Sequence, residues 1–163
     1  MAGCGGDPTP DDVVEADAAP GPTSWFRVDG VDYPLPWQEA YLQAGTPDVL
    51  IVRGSGDPDG RCNPAETIAC YELVATLPVD ATGVVACGGP TKLTLLIDGG
   101  TSATFVAGVP FGGSCGISVD RVDPVGGSVM LSGLEGVLTK VGDVEQNTPI
   151  TAGSLAAARG ADR

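Results

Sequence analysis

Five cysteines, Cys4, Cys62, Cys70, Cys87 and Cys115, and not one histidine define the chemistry open to this 163-residue chain. Without imidazole there is no Ser–His–Asp or Cys–His relay, no ordinary general base near neutral pH, and none of the commonest zinc ligand. Thiols serve as nucleophiles, metal ligands or halves of disulfides, and their surroundings select among these roles. In Ser114–Arg121 the alternation sets Cys115 on one face with Ile117 and Val119, which directs it inward. Val85 and Cys87 likewise share one side of their run. Over 70–77, Tyr71, Leu73, Ala75 and Leu77 make the apolar face, so Cys70 falls opposite with Glu72. Cys62 lies in the polar loop Asp57–Pro64. Matching like burial predicts an internal Cys87–Cys115 bridge and a surface Cys62–Cys70 clip; the other two pairings stay open. Such bridges place the chain in an oxidising compartment.

Three other constellations could carry chemistry. Gly112-Gly113-Ser114-Cys115-Gly116 has the G-x-S-x-G spacing of a nucleophile elbow. That motif needs a strand before it, a helix after it and a histidine; here a strand follows and histidine is absent, so it reads as a glycine turn. Gly88-Gly89-Pro90-Thr91-Lys92 lacks phosphate-loop spacing, and Pro90 removes an N–H. Asp57 and Asp59, with Asn63 and Glu66 nearby, offer hard oxygen ligands around Gly60 and form a weak calcium candidate. Arg61 stands where a further oxygen ligand would be needed, so a solvated acidic turn is the expectation, with no metal and no cofactor. Five of the eight aromatics fall between Trp25 and Tyr41. Trp25, Tyr33 and Trp37 are the candidates for ligand stacking, as in sugar-binding modules on β-sandwiches. Carboxylate-only hydrolysis would need a pair of acids, and Glu39, Glu72 and Glu135 have no local context that pairs them.

The elements that must position these residues are short. Apolar runs of four to eight residues alternate with Gly, Pro and Asp clusters, and no 3.6-residue stripe persists. Strands are predicted near 24–29, 48–53, 68–77, 83–87, 91–98, 101–107, 114–121, 127–140 and 148–157. Trp37 to Ala44 reads as a short helix or an edge strand. Asp98-Gly99-Gly100-Thr101 predicts a tight hairpin turn with positive φ, and Gly133, Gly136 and Gly153 predict bulges or bends. The expected fold is all-β: an antiparallel β-sandwich or jelly-roll-like domain of about nine strands over 24–158, with residues 159–163 as a C-terminal tail. Acids outnumber bases 21 to 8, giving a formal charge of −13. That surface repels phosphate backbones and anionic headgroups, which argues against nucleic-acid partners and electrostatic membrane docking.

Residues 1–23 differ from the rest. Ala2-Gly3-Cys4 matches the end of a bacterial lipobox, at which a leader is cut and the cysteine lipidated. Residues 5–22 hold four prolines, five acids and no base. That composition predicts a flexible tether, spanning roughly 25 Å as a coil and roughly 55 Å as polyproline II. One lipidated cysteine and two bridges would account for all five thiols. Phe26-x-Val28-Asp29-Gly30-x-x-Tyr33 resembles the opening of small all-β domains in uncharacterised bacterial lipoproteins. Gly127-Ser128-Val129, Gly133-Leu134-Glu135-Gly136-Val137-Leu138 and Ile150-Thr151-Ala152-Gly153-Ser154-Leu155 are similar to their closing strands, although Leu134 and Leu155 stand where those domains have Phe. The resemblance implies a β-sandwich on a lipid anchor and carries no catalytic residues. The expectation is therefore a non-enzymatic, exported protein held at the cell envelope through Cys4, its partner a glycan or an envelope protein. A carbohydrate-binding module and a carboxylate-only hydrolase are the alternatives.

Overall fold

The structure is a computed structural model that describes residues 23–60, 62 and 69–163. Cys4, Asn63, Glu66 and the proposed tether therefore lie outside the described residues. Eleven strands follow in order: β1 (Trp25–Val28), β2 (Val31–Pro34), β3 (Trp37–Gln43), β4 (Val49–Ser55), β5 (Tyr71–Pro78), β6 (Gly83–Ala86), β7 (Lys92–Ile97), β8 (Ala103–Ala107), β9 (Ser114–Val122), β10 (Ser128–Lys140) and β11 (Asp143–Ala158). The all-β expectation holds, and each of the nine predicted strands has a counterpart. The two additions are β2 and β3. In β3 the 37–44 segment takes the strand form, because it pairs from end to end with β4, Trp37 opposite Ser55 and Gln43 opposite Val49.

The sheet runs β2-β1-β11-β10-β8-β7-β5-β4-β3, with β9 on β10 and β6 on β9. All named strand pairs are antiparallel. The sheet curls into a half-barrel around one core, in which Phe26, Leu50, Leu73, Leu77, Leu93, Ile117, Leu131, Leu134, Leu138 and Leu155 are buried. Residues 159–163 continue β11 along the outer edge of β3. The amide of Gly160 donates to Ala40 O (2.7 Å), that of Arg163 to Leu42 O (2.8 Å), and that of Ala44 to Arg163 O (2.9 Å). This short parallel register joins the end of β11 to the free edge of β3.

Long strands need a device to keep their apolar residues inward as they bend. In β10 the core positions are the odd Val129 and Leu131, then the even Leu134 and Leu138. The change of parity falls at Gly133, whose φ of +55° makes the bulge that shifts the β9 register between Ser132 and Glu135. Gly136 serves a different need: a Cβ there would lie 2.3 Å from Ser114 O, so its bare backbone lets β9 approach. The β7–β8 connection is longer than a two-residue turn. It spans 98–102 and includes a 3-10 turn at Asp98–Gly100, with Asp98, Gly99 and Gly100 all at positive φ. Asp98, a residue type that tolerates this region, is held there by its side chain, which accepts from the Cys70 amide (3.0 Å) and from the Ser102 hydroxyl.

Candidate functional site

The two disulfides stand at opposite ends of the β4-β5-β7-β8 part of the sheet, one just before β5 and the other beside Ala107 at the end of β8. Cys62–Cys70 (Cα–Cα 5.3 Å) stands beside the start of β5, and Cys87–Cys115 (Cα–Cα 5.0 Å) beside the start of β9. Both pairings are those predicted, but the expected surface position of Cys70 is corrected: Cys70 and Glu72, on the face opposite Leu73, are both buried, Glu72 against Arg53. Cys115 is buried with Ile117, as its alternation required.

At the Cys62–Cys70 end a cleft of about 560 Å³ opens, lined by Tyr33, Pro34, Gly56, Asp57, Pro58, Ala69, Cys70 and Tyr71. Its aromatic wall is built by pairing. The Asp29-Gly30 turn, with φ of +50° and +79°, folds β2 back on β1 and sets Tyr33 opposite Phe26. Their rings stack at 5.1 Å, and Tyr71, at the start of β5, meets Tyr33 at 4.7 Å. Partial burial holds the Tyr71 phenol above the ordinary tyrosine range, helped by the neighbouring Tyr33 and Asp98, so it is neutral at physiological pH.

The opposite wall is a loop held by its own side chains. Asp57 Oδ1 accepts the Asp59 amide (2.8 Å), and Asp57 O accepts the Gly60 amide (2.9 Å), an Asx-type turn. The Asp57 amide donates to the buried Ser55 hydroxyl (3.1 Å), which lies 3.7 Å from Cys62 Sγ. Gly60, at φ +71°, lies flat on the Trp37 ring, where an added Cβ would come within 2.3 Å. Arg53 joins the loop to the sheet. Its guanidinium donates to Gly60 O (3.3 Å) and binds Glu72 (2.7 Å) and Glu39 (3.4 Å) while lying over Trp37 at 5.3 Å. Arg163 binds the second oxygen of Glu39 at 2.8 Å.

These contacts sort the candidate residues. Of the three predicted stacking aromatics, only Tyr33 lines the cleft. Trp37 is covered by Gly60 and Arg53, and Trp25, on the face away from Phe26 as predicted, carries the Arg27 guanidinium at 5.3 Å. Tyr71, read in the sequence as a core residue, belongs to the cleft as well. Asp57 lines it too, and Asp59 is in the same turn. No cluster of three or more His, Cys, Asp or Glu that could hold a metal occurs among the described residues. Glu39 and Glu72 do meet, but across Arg53, and Glu135 is exposed on β10.

The other disulfide has different surroundings. Its cavity, about 260 Å³, is lined by Cys87, Gly108, Val109, Pro110, Gly112 and Gly113, with no ionisable or aromatic side chain. Gly112–Gly116, the stretch with nucleophile-elbow spacing, is a turn entering β9, as its sequence implied. Among the described residues no helix is long and apolar enough to cross a membrane. Comparison with protein-family profiles, with curated proteins and with solved structures finds no match to this chain.

Proposed function

We propose that this is an exported cell-envelope protein whose disulfide-clamped β-domain works by binding, without catalysis, and is held to the membrane by a lipid on Cys4. The observation that carries the reading is the pair of disulfides at opposite ends of one sheet. Bridges of this kind form and persist outside reducing compartments. They leave Cys4 as the one thiol without a bridge, in the context Ala2-Gly3-Cys4. Binding is favoured over turnover because the acids that come together, Glu39 and Glu72, are occupied by Arg53 and Arg163, while among the described residues the cleft is lined by rings and one carboxylate.

Protein taken from its native cells tests both parts. Mass spectrometry of the N-terminal peptide is expected to find diacylglycerol on the Cys4 sulfur, and an unmodified thiol there overturns the anchor. Thiol titration of the denatured, unreduced chain is expected to find at most one free thiol, whereas four or five overturn export into an oxidising compartment. Glycan binding is a second reading, supported by Tyr33 at the cleft wall; loss of glycan-array signal in Tyr33→Ala with Trp25→Ala unaffected would favour it.

A further inference from the structure

Among the described residues the sheet ends in three edge strands, β2, β3 and β6. An open edge presents unpaired N–H and C=O groups to any strand that meets it. Two of these edges are guarded. Residues 159–163 bond along β3 through the Gly160 and Arg163 amides. On β2, Pro34 has no amide hydrogen and Asp32 carries an ion pair with Arg27. The third edge is bare. In β6, Gly83, Val84 and Ala86 are exposed, Val84 at 81%, so this strand's outer side faces solvent.

The open groups of β6 can be assigned residue by residue. The Cys87 amide donates to Cys115 O (3.0 Å), and the register continues with Val85 opposite Ile117 and Gly83 opposite Val119. Bonded positions alternate in an antiparallel ladder, so Val85 and Cys87 turn their amides and carbonyls to β9, while those of Val84 and Ala86 point away from it. The side chains alternate as well: Val85 packs against the core, and Val84 and Ala86 share the outer face with Ser118 and Gly116 of β9. Charge limits where copies of this chain can meet, because at a formal −13 they repel. Residues 81–91 and 99–119, which include β6 and its outward neighbours on β9, hold no Asp, Glu, Lys or Arg. Glu135 shares the outer face but lies on β10, on the far side of β9 from β6.

We propose that β6 is a self-association edge, at which a second copy of this chain pairs antiparallel across a two-fold axis through Val85. The Val84 amide then donates to Ala86 O of the second copy and the Ala86 amide to Val84 O of the second copy, and symmetry repeats both bonds. Each Val84 side chain packs beside Ala86 of the other copy. The axis consumes the edge on both copies, so the assembly closes as a dimer and does not grow into a fibre. This association goes beyond the envelope role proposed above and does not depend on a lipid.

The test uses the oxidised full chain carrying Cys4→Ser, so that no unbridged thiol can cross-link copies. In sedimentation equilibrium the average mass is expected to rise toward twice the monomer value between about 0.01 and about 1 mM, the regime of a small, transient interface. Hydrogen exchange over the same range reads the strand's two sides. The Val84 and Ala86 amides should gain protection as the mass rises, and the Val85 and Cys87 amides, already bonded to β9, should not. Val84→Asp places an acid at the contact on each copy, and Ala86→Pro deletes an outward donor while leaving the β9 ladder intact. Each should weaken association about tenfold or more. Val144→Asp, the same change at a valine 75% exposed on β11, should leave it unaltered. A chain that stays monomeric to about 1 mM overturns the proposal and leaves the edge to a foreign strand. A dimer indifferent to both β6 substitutions, or protection gained elsewhere than at Val84 and Ala86, overturns it too.

Discussion

A disulfide stands at each end of the β4-β5-β7-β8 face, yet the two ends are built from different materials. Around Cys87–Cys115 the chain is glycine and apolar, and the constraint is backbone against backbone. Gly113, at φ +71°, sits where a Cβ would be 2.3 Å from Val137 O. Around Cys62–Cys70 the constraint runs through side chains: the Asp57 turn, Ser55 beneath the bridge, Arg53 with its two glutamates, and Asp98 on the Cys70 amide. A cross-link between core strands mainly restricts the unfolded chain. A cross-link under a polar loop also fixes the loop, and with it the cleft. The same bond therefore serves stability at one end and a site at the other.

Removing the bridges should separate those roles. The Cys87→Ala/Cys115→Ala chain closes no 28-residue span and should lose about 3.5 kcal/mol in denaturant unfolding, with hydrogen-exchange protection of the Gly56 and Gly60 amides unchanged while folded. Arg53→Met comes next. It leaves Glu72, only 3% exposed, without its cation, at a cost of about 3 kcal/mol, and frees the carbonyl of Gly60. The Cys62→Ala/Cys70→Ala chain, with a span of 8 residues, should lose about 2.5 kcal/mol and the protection of those two amides. If the larger bridge proves the one that protects those amides, the division of labour between the ends is wrong.

What could be read from sequence divides along a similar line. The nine predicted strands are those in which apolar residues alternate or run together, because burial by the sheet is their dominant energetic term. Cysteine pairing followed from the same faces. The strand β2 was missed because Val31, Asp32 and Pro34 are exposed and leave no apolar pattern; the signal that could have found it is Asp29-Gly30, a two-residue hairpin turn. Gly133 was legible as a bulge, since the apolar parity changes there. The cleft was not legible. Tyr33 and Tyr71 are far apart in sequence, and only the chain of pairings from β2 through β1 and around the half-barrel to β5 brings their rings to 4.7 Å. Trp37 illustrates the converse, since nothing local announces that Gly60 and Arg53 will cover it.

Acid should distinguish the two ends with the smallest energetic effect and the sharpest location. The Ser102 hydroxyl, and then the Cys70 amide, hold the Asp98 carboxyl below the usual carboxylate range. A folded-state pKa below the unfolded value of about 3.9 means that folding is helped by the ionised form. The contribution is present in full above that unfolded value and is lost as the pH falls through the depressed one. Below about pH 4, then, the amides of Cys70 and Ser102 should lose hydrogen-exchange protection before those of Cys87 and Gly88, whose cavity has no carboxylate. Asp98→Asn keeps an oxygen for the Cys70 amide but has no charge to neutralise, so protection at that end should become insensitive to acid over the same range. Asp32 and Asp123, held low by Arg27 and Arg121, would still give the whole molecule some acid sensitivity. The informative quantity is therefore the difference in protection between the ends, and equal acid sensitivity at both would show that Asp98 does not anchor the Cys62–Cys70 end.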